Sequence, residues 1–152
     1  MLEVYTDGSS KKDSKAGYAF VVVLDGQKIG EKSFSIPNFT NQQAELIAAA
    51  NGCWYAWLMR DKLNTMRVNI YSDSAYLINC YNQEWWKNWE KNGWKNAKKQ
   101  PVANRNLWEE LIPFFKDPSF KFIKVEGHSG QKWNEEADTL AQKAAEACVK
   151  SV

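Results

Sequence analysis

Arg67-Val68-Asn69-Ile70-Tyr71-Ser72-Asp73 alternates the apolar Val68 and Ile70 with Asn69 and Tyr71, the period of a β-strand with one buried face. It closes on Tyr71-Ser72-Asp73, and the first β-prone run of the chain, Leu2 to Asp7, closes in the same way on Tyr5-Thr6-Asp7. In each run the Asp lies on the side of the Tyr two positions earlier. A long helical pattern separates the two runs. A strand–helix–strand connection is right-handed and makes its strands parallel where they are neighbours in one sheet. Strands about 4.8 Å apart would then end together, with Asp7 and Asp73 side by side.

The rest of the fold reads outward from that pair. Upstream, Gly8-Ser9-Ser10 stops the first strand and Gly17 to Leu24 is an aromatic and β-branched run. Asp25-Gly26 is a two-residue hairpin signal, so Gln27 to Ile36 returns antiparallel until Pro37. Thr40-Asn41-Gln42-Gln43 fits a capping box, and Leu46, Ala49, Ala50, Cys53 and Trp57 follow at helical spacing to about Arg60. Downstream, Ser74 to about Tyr81 reads as a short helix, and a Trp- and Lys-rich helical segment follows. Asn104 to Phe115 is a further helix, Phe120 to Glu126 a last strand and Asn134 to Val149 a last helix. The order βββ-α-β-α-α-α-β-α predicts an α/β domain whose sheet starts as an antiparallel meander and continues in parallel.

Bulk properties narrow the class. The chain has 152 residues, 44% hydrophobic and 25% charged, which predicts one globular domain, 1–152, with a core that needs no disulfide. Three cysteines, Cys53, Cys80 and Cys148, lack metal-ligand spacing and read as thiols of a reducing compartment. No apolar run has the length of a signal core or a membrane helix, so the expected location is cytoplasmic, with no membrane partner. A formal charge of +2 does not by itself announce a nucleic-acid partner.

Four acids stand out. Adjacent carboxylates in a partly dry site repel, so Asp7 and Asp73 need either a shared proton or a cation between them. A hard divalent ion meets that need, and Mg²⁺ suits a few carboxylates plus water and phosphate. Glu45 and Asp138 interrupt apolar helix surfaces, Glu45 beside Leu46 and Asp138 beside Ala137 and the Leu140, Ala141, Ala144 stripe. Each also has a plain reading: Asp7-Gly8 as a turn, Asp73-Ser74 as a helix cap, Glu45 and Asp138 as first-turn acids favoured by the helix dipole. The four taken together favour a site.

Tyr5-Thr6-Asp7-Gly8-Ser9, Asn41-Gln42-Gln43-Ala44-Glu45-Leu46, Ser72-Asp73-Ser74, Gly127-His128-Ser129-Gly130, Asn134 and Ala137-Asp138 resemble, in order and spacing, type 1 ribonuclease H. The resemblance spans essentially the whole chain. It implies a five-stranded mixed sheet flanked by helices with a basic helical protrusion. It also implies cleavage of the RNA strand of RNA–DNA hybrids, leaving 5′-phosphate and 3′-hydroxyl ends, as in removal of primers and R-loops, by a monomeric enzyme. Asp7, Glu45, Asp73 and Asp138 would hold two Mg²⁺ ions, with Mn²⁺ as a substitute, roughly 4 Å apart. By the same resemblance Asp7 bridges both ions, Asp138 serves the water-activating ion, and Glu45 and Asp73 serve the leaving-group side. His128, the single histidine, would transfer a proton or assist release. Asn134 is either the N-cap of the last helix or a contact near the scissile phosphate.

From Glu84 to Gln100, five lysines stand against two glutamates, interleaved with Trp85, Trp86, Trp89 and Trp94. Lysines neutralise phosphates and exposed rings lie against sugars and bases. Trp86 or Trp89 is expected to be core, leaving Trp85, Trp89, Trp94, Lys95, Lys98 and Lys99 as candidate contacts. The stretch resembles the family's basic protrusion, which implies a grip on the DNA strand. Asn41 and Gln42 match positions that read RNA through its 2′-hydroxyls, and Thr40 matches a phosphate contact or acts as a cap. Two departures are Lys11-Lys12-Asp13-Ser14-Lys15, where many relatives have a Gly- and Pro-containing turn, and Ala75, where relatives carry a polar side chain. The rival readings are a ribonuclease H domain of a reverse transcriptase and a non-catalytic hybrid-binding module.

Overall fold

A computed structural model describes residues 1–65, 67–126 and 130–148. Three consecutive strands, β1 (Leu2–Ser10), β2 (Ala16–Leu24) and β3 (Gln27–Ser35), form an antiparallel meander. Helix α1 (Asn41–Arg60) crosses to β4 (Val68–Ser72), which lies parallel to β1. Helices α2 (Ala75–Gln83), α3 (Trp85–Asn92) and α4 (Arg105–Phe115) lead to β5 (Phe120–Lys124), parallel to β4, and α5 (Lys132–Glu146) follows. The strand order is β3-β2-β1-β4-β5. The element order and the mixed sheet are those expected from the sequence.

Local chemistry explains the boundaries. Asp25 and Gly26 both take positive φ, 49° and 84°, as a primed hairpin turn requires. Thr40 caps α1 through Gln43 N–H, and the Gln43 side chain accepts from Thr40 N–H, closing the reciprocal box. The last helix starts at Lys132 and not at Asn134, because the Gln131 side chain accepts from Asn134 N–H and is the N-cap. Asn134 is thus inside α5, and its N-cap reading is corrected.

The sheet is covered on both faces. Leu2, Val4, Val68, Ile70, Phe120 and Phe122 pack with Leu46, Ala49, Ala50 and Cys53 of α1 and with Trp108 and Leu111 of α4. On the other face Tyr5, Val21 and Val23 meet Ala137 of α5. Trp57, which shares the apolar spacing of α1, is 44% exposed and packs edge-on against Trp54, while Ala56 beside it is fully buried. Over 20 residues the helix keeps small side chains against the strands, and a Trp does not fit beneath it.

Candidate active site at the carboxyl edge of the sheet

Parallel pairing of β1 with β4 runs Leu2↔Val68 to Tyr5↔Tyr71 and stops there. Two residues further along both chains come Asp7 and Asp73, where the partner strands have separated. β1 itself does not stop: it continues to Ser10, with Asp7 opposite Ala19 of β2. The expectation that Asp7 is a strand-ending residue is therefore corrected. It sits mid-strand, held on one side by β2 and open on the side that β4 has left.

Each remaining acid enters from a different layer. Glu45 is the fifth residue of α1 and Asp138 the seventh of α5, so neither is in a first turn and the helix-dipole explanation does not apply to them. Glu45 is only 5% exposed. Its Oε1 accepts the backbone N–H of Gly8, which bonds α1 directly to β1 at the site. The approach is so close that a Cβ on Gly8 would overlap the Ala44 backbone. Gly8 is thus a site residue that the sequence reading treated only as a turn. Its signal was the invitation to close backbone approach that an Asp-Gly pair extends.

Carboxylate oxygens of Asp7, Glu45 and Asp73 all lie within 4.8 Å of one another. Asp138 interacts with Asp7 both by side-chain hydrogen bonding and by charge, and Gln142 Nε2 donates to Asp138 Oδ1 over 3.1 Å. Burial pushes the Asp7 carboxyl up to about 8, and the neighbouring Asp138 and Asp73 push in the same direction, against a Glu45 hydrogen bond that lowers it. Burial, and then the charge of Asp7, hold Glu45 well above the usual carboxylate range. The chemistry of this donor set fits a divalent cation: hard oxygen ligands, desolvated and mutually repelling, gain most from a positive ion among them.

Other candidates fall around this centre. Thr40, Asn41 and Gln42 are exposed at the start of α1, one turn from Glu45. Asn134 is buried, with an Oδ1 that has no hydrogen-bond partner among the described residues. His128 lies outside the described residues. A bonded chain missed by the sequence reading joins three helices beside the site. Gln43 Nε2 donates to Asn104 Oδ1 (3.0 Å), Asn104 Nδ2 donates to Tyr76 Oη (3.4 Å), and Trp108 Nε1 donates to the same hydroxyl (3.2 Å). Only the Gln43 cap was visible in the sequence. Partners 61 and 28 residues apart leave no periodic trace.

The basic segment is built differently from the expectation. Trp86 is buried, as expected of core, but so is Trp94, at 9% exposure. Trp94 packs at a tilt against Trp89 (5.6 Å), which meets Trp108 (5.7 Å), and Arg105 lies 4.9 Å from the Trp94 ring centre. The expectation that Trp94 presents an open ring is corrected: positive φ at Gly93 and Trp94 turns the chain so that the ring folds inward. Trp85 and Trp89 are half-buried and, with Lys91 and Lys95, line a hollow of about 610 Å³. Lys87 pairs with Glu84 and Glu90 with Lys116. Lys91, Lys95, Lys98 and Lys99 stay exposed without an acidic partner among the described residues.

Comparison with known proteins agrees with this architecture. The RNase H family profile matches residues 1–146. A ribonuclease H of Syntrophomonas wolfei is 39% identical over 141 residues, 93% of each chain. The solution structure of a PFV RNase H domain superposes with a TM-score of 0.79 at 26% identity, covering 97% of this chain and 96% of the other. LC11-RNase H1, crystallised with an RNA/DNA hybrid, shares the fold with a TM-score of 0.69 at 22% identity, covering 96% and 97%. By sequence over nearly its whole length, and by the fold that brings its acids together, this chain belongs to the ribonuclease H family.

Proposed function

We propose that residues 1–152 form one catalytic domain that hydrolyses the RNA strand of RNA–DNA hybrids and leaves 5′-phosphate and 3′-hydroxyl ends. The observation that carries this reading is the convergence of Asp7, Glu45 and Asp73 within 4.8 Å, with Asp138 acting on Asp7 from the opposite layer. Asp7, Glu45 and Asp73 would hold one Mg²⁺, and Asp7 with Asp138 would hold a second. When bound, the pair of ions supplies an activated water and charge stabilisation on the attacking and leaving oxygens. Mn²⁺, equally a hard oxygen-seeking ion, can replace Mg²⁺.

The protein's own groups bind and orient the substrate. Asn41 and Gln42, exposed one turn before Glu45, would meet 2′-hydroxyls, the feature that separates RNA from DNA. Thr40, whose hydroxyl caps α1, lies alongside for a phosphate. The buried Asn134 amide oxygen, without a hydrogen-bond partner among the described residues, accepts from a water or substrate hydroxyl near Asp138. His128 takes the proton-transfer role. Lys95, Lys98 and Lys99, with Trp85 and Trp89, hold the DNA strand. The enzyme acts as a monomer in the cytoplasm. The buried free thiols Cys53 and Cys80 suit a reducing compartment.

The test is cleavage of end-labelled hybrid, duplex RNA and duplex DNA, with and without Mg²⁺. Hybrid alone should be cut, only with the ion, and only in its RNA strand. Equal cutting of duplex DNA, or cutting in excess chelator, would defeat the reading.

A further inference from the structure

The site accounts for the acids and for the lysines after α3, but not for those of the β1–β2 turn. Lys11, Lys12 and Lys15 fall within five residues, with Asp13 as the sole acid of the turn. Lys11 and Lys12 are exposed, Lys15 half-buried, and none has an acidic partner among the described residues. The turn is folded: Lys11 N–H donates to Lys15 O at 2.7 Å, and Asn38 N–H donates to Ser14 O at 2.7 Å. Asp13 and Ser14 both take positive φ, 65° and 62°. Successive left-handed residues that are not glycine are disfavoured and persist where surrounding bonds impose them. The bond to Asn38 ties the turn to the segment leading into α1, three residues before Asn41.

Position decides what such a turn can meet. β1 carries Asp7 and runs on without a break to Ser10, so Lys11, the first residue of the turn, is four residues beyond Asp7. At about 3.3 Å per residue that is about 13 Å, within a few nucleotides of a phosphate held at Asp7. The other basic segment follows β4 and α2. In the order β3-β2-β1-β4-β5 the turn leads from β1 towards β2, whereas α2, which leads into the other basic segment, packs against β5, so the two groups of lysines leave the acids towards opposite edges of the sheet.

We propose that Lys11 and Lys12, supported by Lys15, form a second phosphate grip that holds the cleaved RNA strand beside the cut, opposite the grip on DNA. The four acids repel the polyanion they must admit, and a cationic turn continuing the strand of Asp7 offsets that repulsion where the cleaved strand passes. This inference rests on the hybrid-cleaving reading.

The test uses the full chain and a hybrid of about two helical turns, with binding followed by fluorescence anisotropy in chelator at several salt concentrations. K11A/K12A should lower the slope of log affinity on log salt by about 1.8, about 0.9 per phosphate contact. Between about 50 and 200 mM salt the wild-type chain should then lose roughly twelvefold more affinity than the variant. K11R/K12R should restore the slope, and in turnover the change should fall on KM. Neutral methylphosphonate linkages beside the cut in the RNA strand should erase the difference between wild type and K11A/K12A, and the same linkages in DNA should not. An unchanged slope, absent rescue by arginine, or a deficit that tracks the DNA strand overturns the grip while wild-type cleavage stands. A wild-type chain that cuts no hybrid removes the reading beneath it.

Discussion

The rings of Tyr5 and Tyr71 lie 4.6 Å apart and within 8° of parallel, stacked across the β1–β4 pair. They are register partners, so the stack shows directly that the two Tyr-x-Asp endings are aligned. Thr6 Oγ1 adds a bond to Tyr71 O at 3.2 Å. The alignment places Asp7 beside Asp73 where the strands part.

Asp73→Asn should abolish hybrid cleavage while hybrid binding and the melting temperature stay near wild type. Loss of one charged ligand removes several kcal/mol of transition-state stabilisation, at least about a thousandfold in rate. Single-turnover cleavage with Mg²⁺ measures it, and a rate within tenfold of wild type would contradict the metal assignment.

Gly8→Ala should destabilise the protein by at least about 2 kcal/mol, since its Cβ has no room against the Ala44 backbone and the Gly8–Glu45 bond must open. Urea denaturation reads the change. A stability equal to wild type would mean that β1 and α1 are not in the close contact described.

Asp7 predicts the pH dependence of stability without metal. Its folded carboxyl is raised from 3.8 to about 8, so between those values the folded state binds more protons than the unfolded state. Stability should therefore be greatest near pH 4 and fall as pH rises towards about 8. Asp7→Asn should flatten this fall and stabilise the chelated protein at neutral pH by on the order of 1–3 kcal/mol. Thermal melts from pH 4 to 8 in chelator test the sign, and a melting temperature that climbs across that window would refute it.

Mg²⁺ should raise the melting temperature of the wild-type chain at pH 8 and have little effect on Asp7→Asn. An ion that binds only the folded state stabilises it by about 2.7 kcal/mol at a hundred times its Kd. Equal shifts for both chains would place the ion elsewhere.

Changing Lys95, Lys98 and Lys99 together to Ala should weaken hybrid binding and lower the salt slope by about 2.7, without moving the cut site. Affinity measured from low to high salt decides it, and an unaltered slope would leave these exposed lysines without a role.

Much of this was written locally. Alternation in Val68–Ser72, the Asp25-Gly26 turn, the Thr40–Gln43 box and the apolar spacing of α1 each depend on neighbours a few residues away, and those features name the elements and their order. The juxtaposition of Asp7 with Asp73, and the entry of Glu45 beside them, was legible too, through short motifs whose order could be read. What the chain alone could not decide was burial and approach. Trp94 is buried and Trp57 exposed because a ring goes inside only where distant helices leave a volume for it. Gly8 became part of the site because Ala44 and Glu45 lie against it, 36 and 37 residues later in the chain. Local pattern sets backbone propensity and period, whereas space, desolvation and the proximity of like charges exist only once layers from distant parts of the chain have packed.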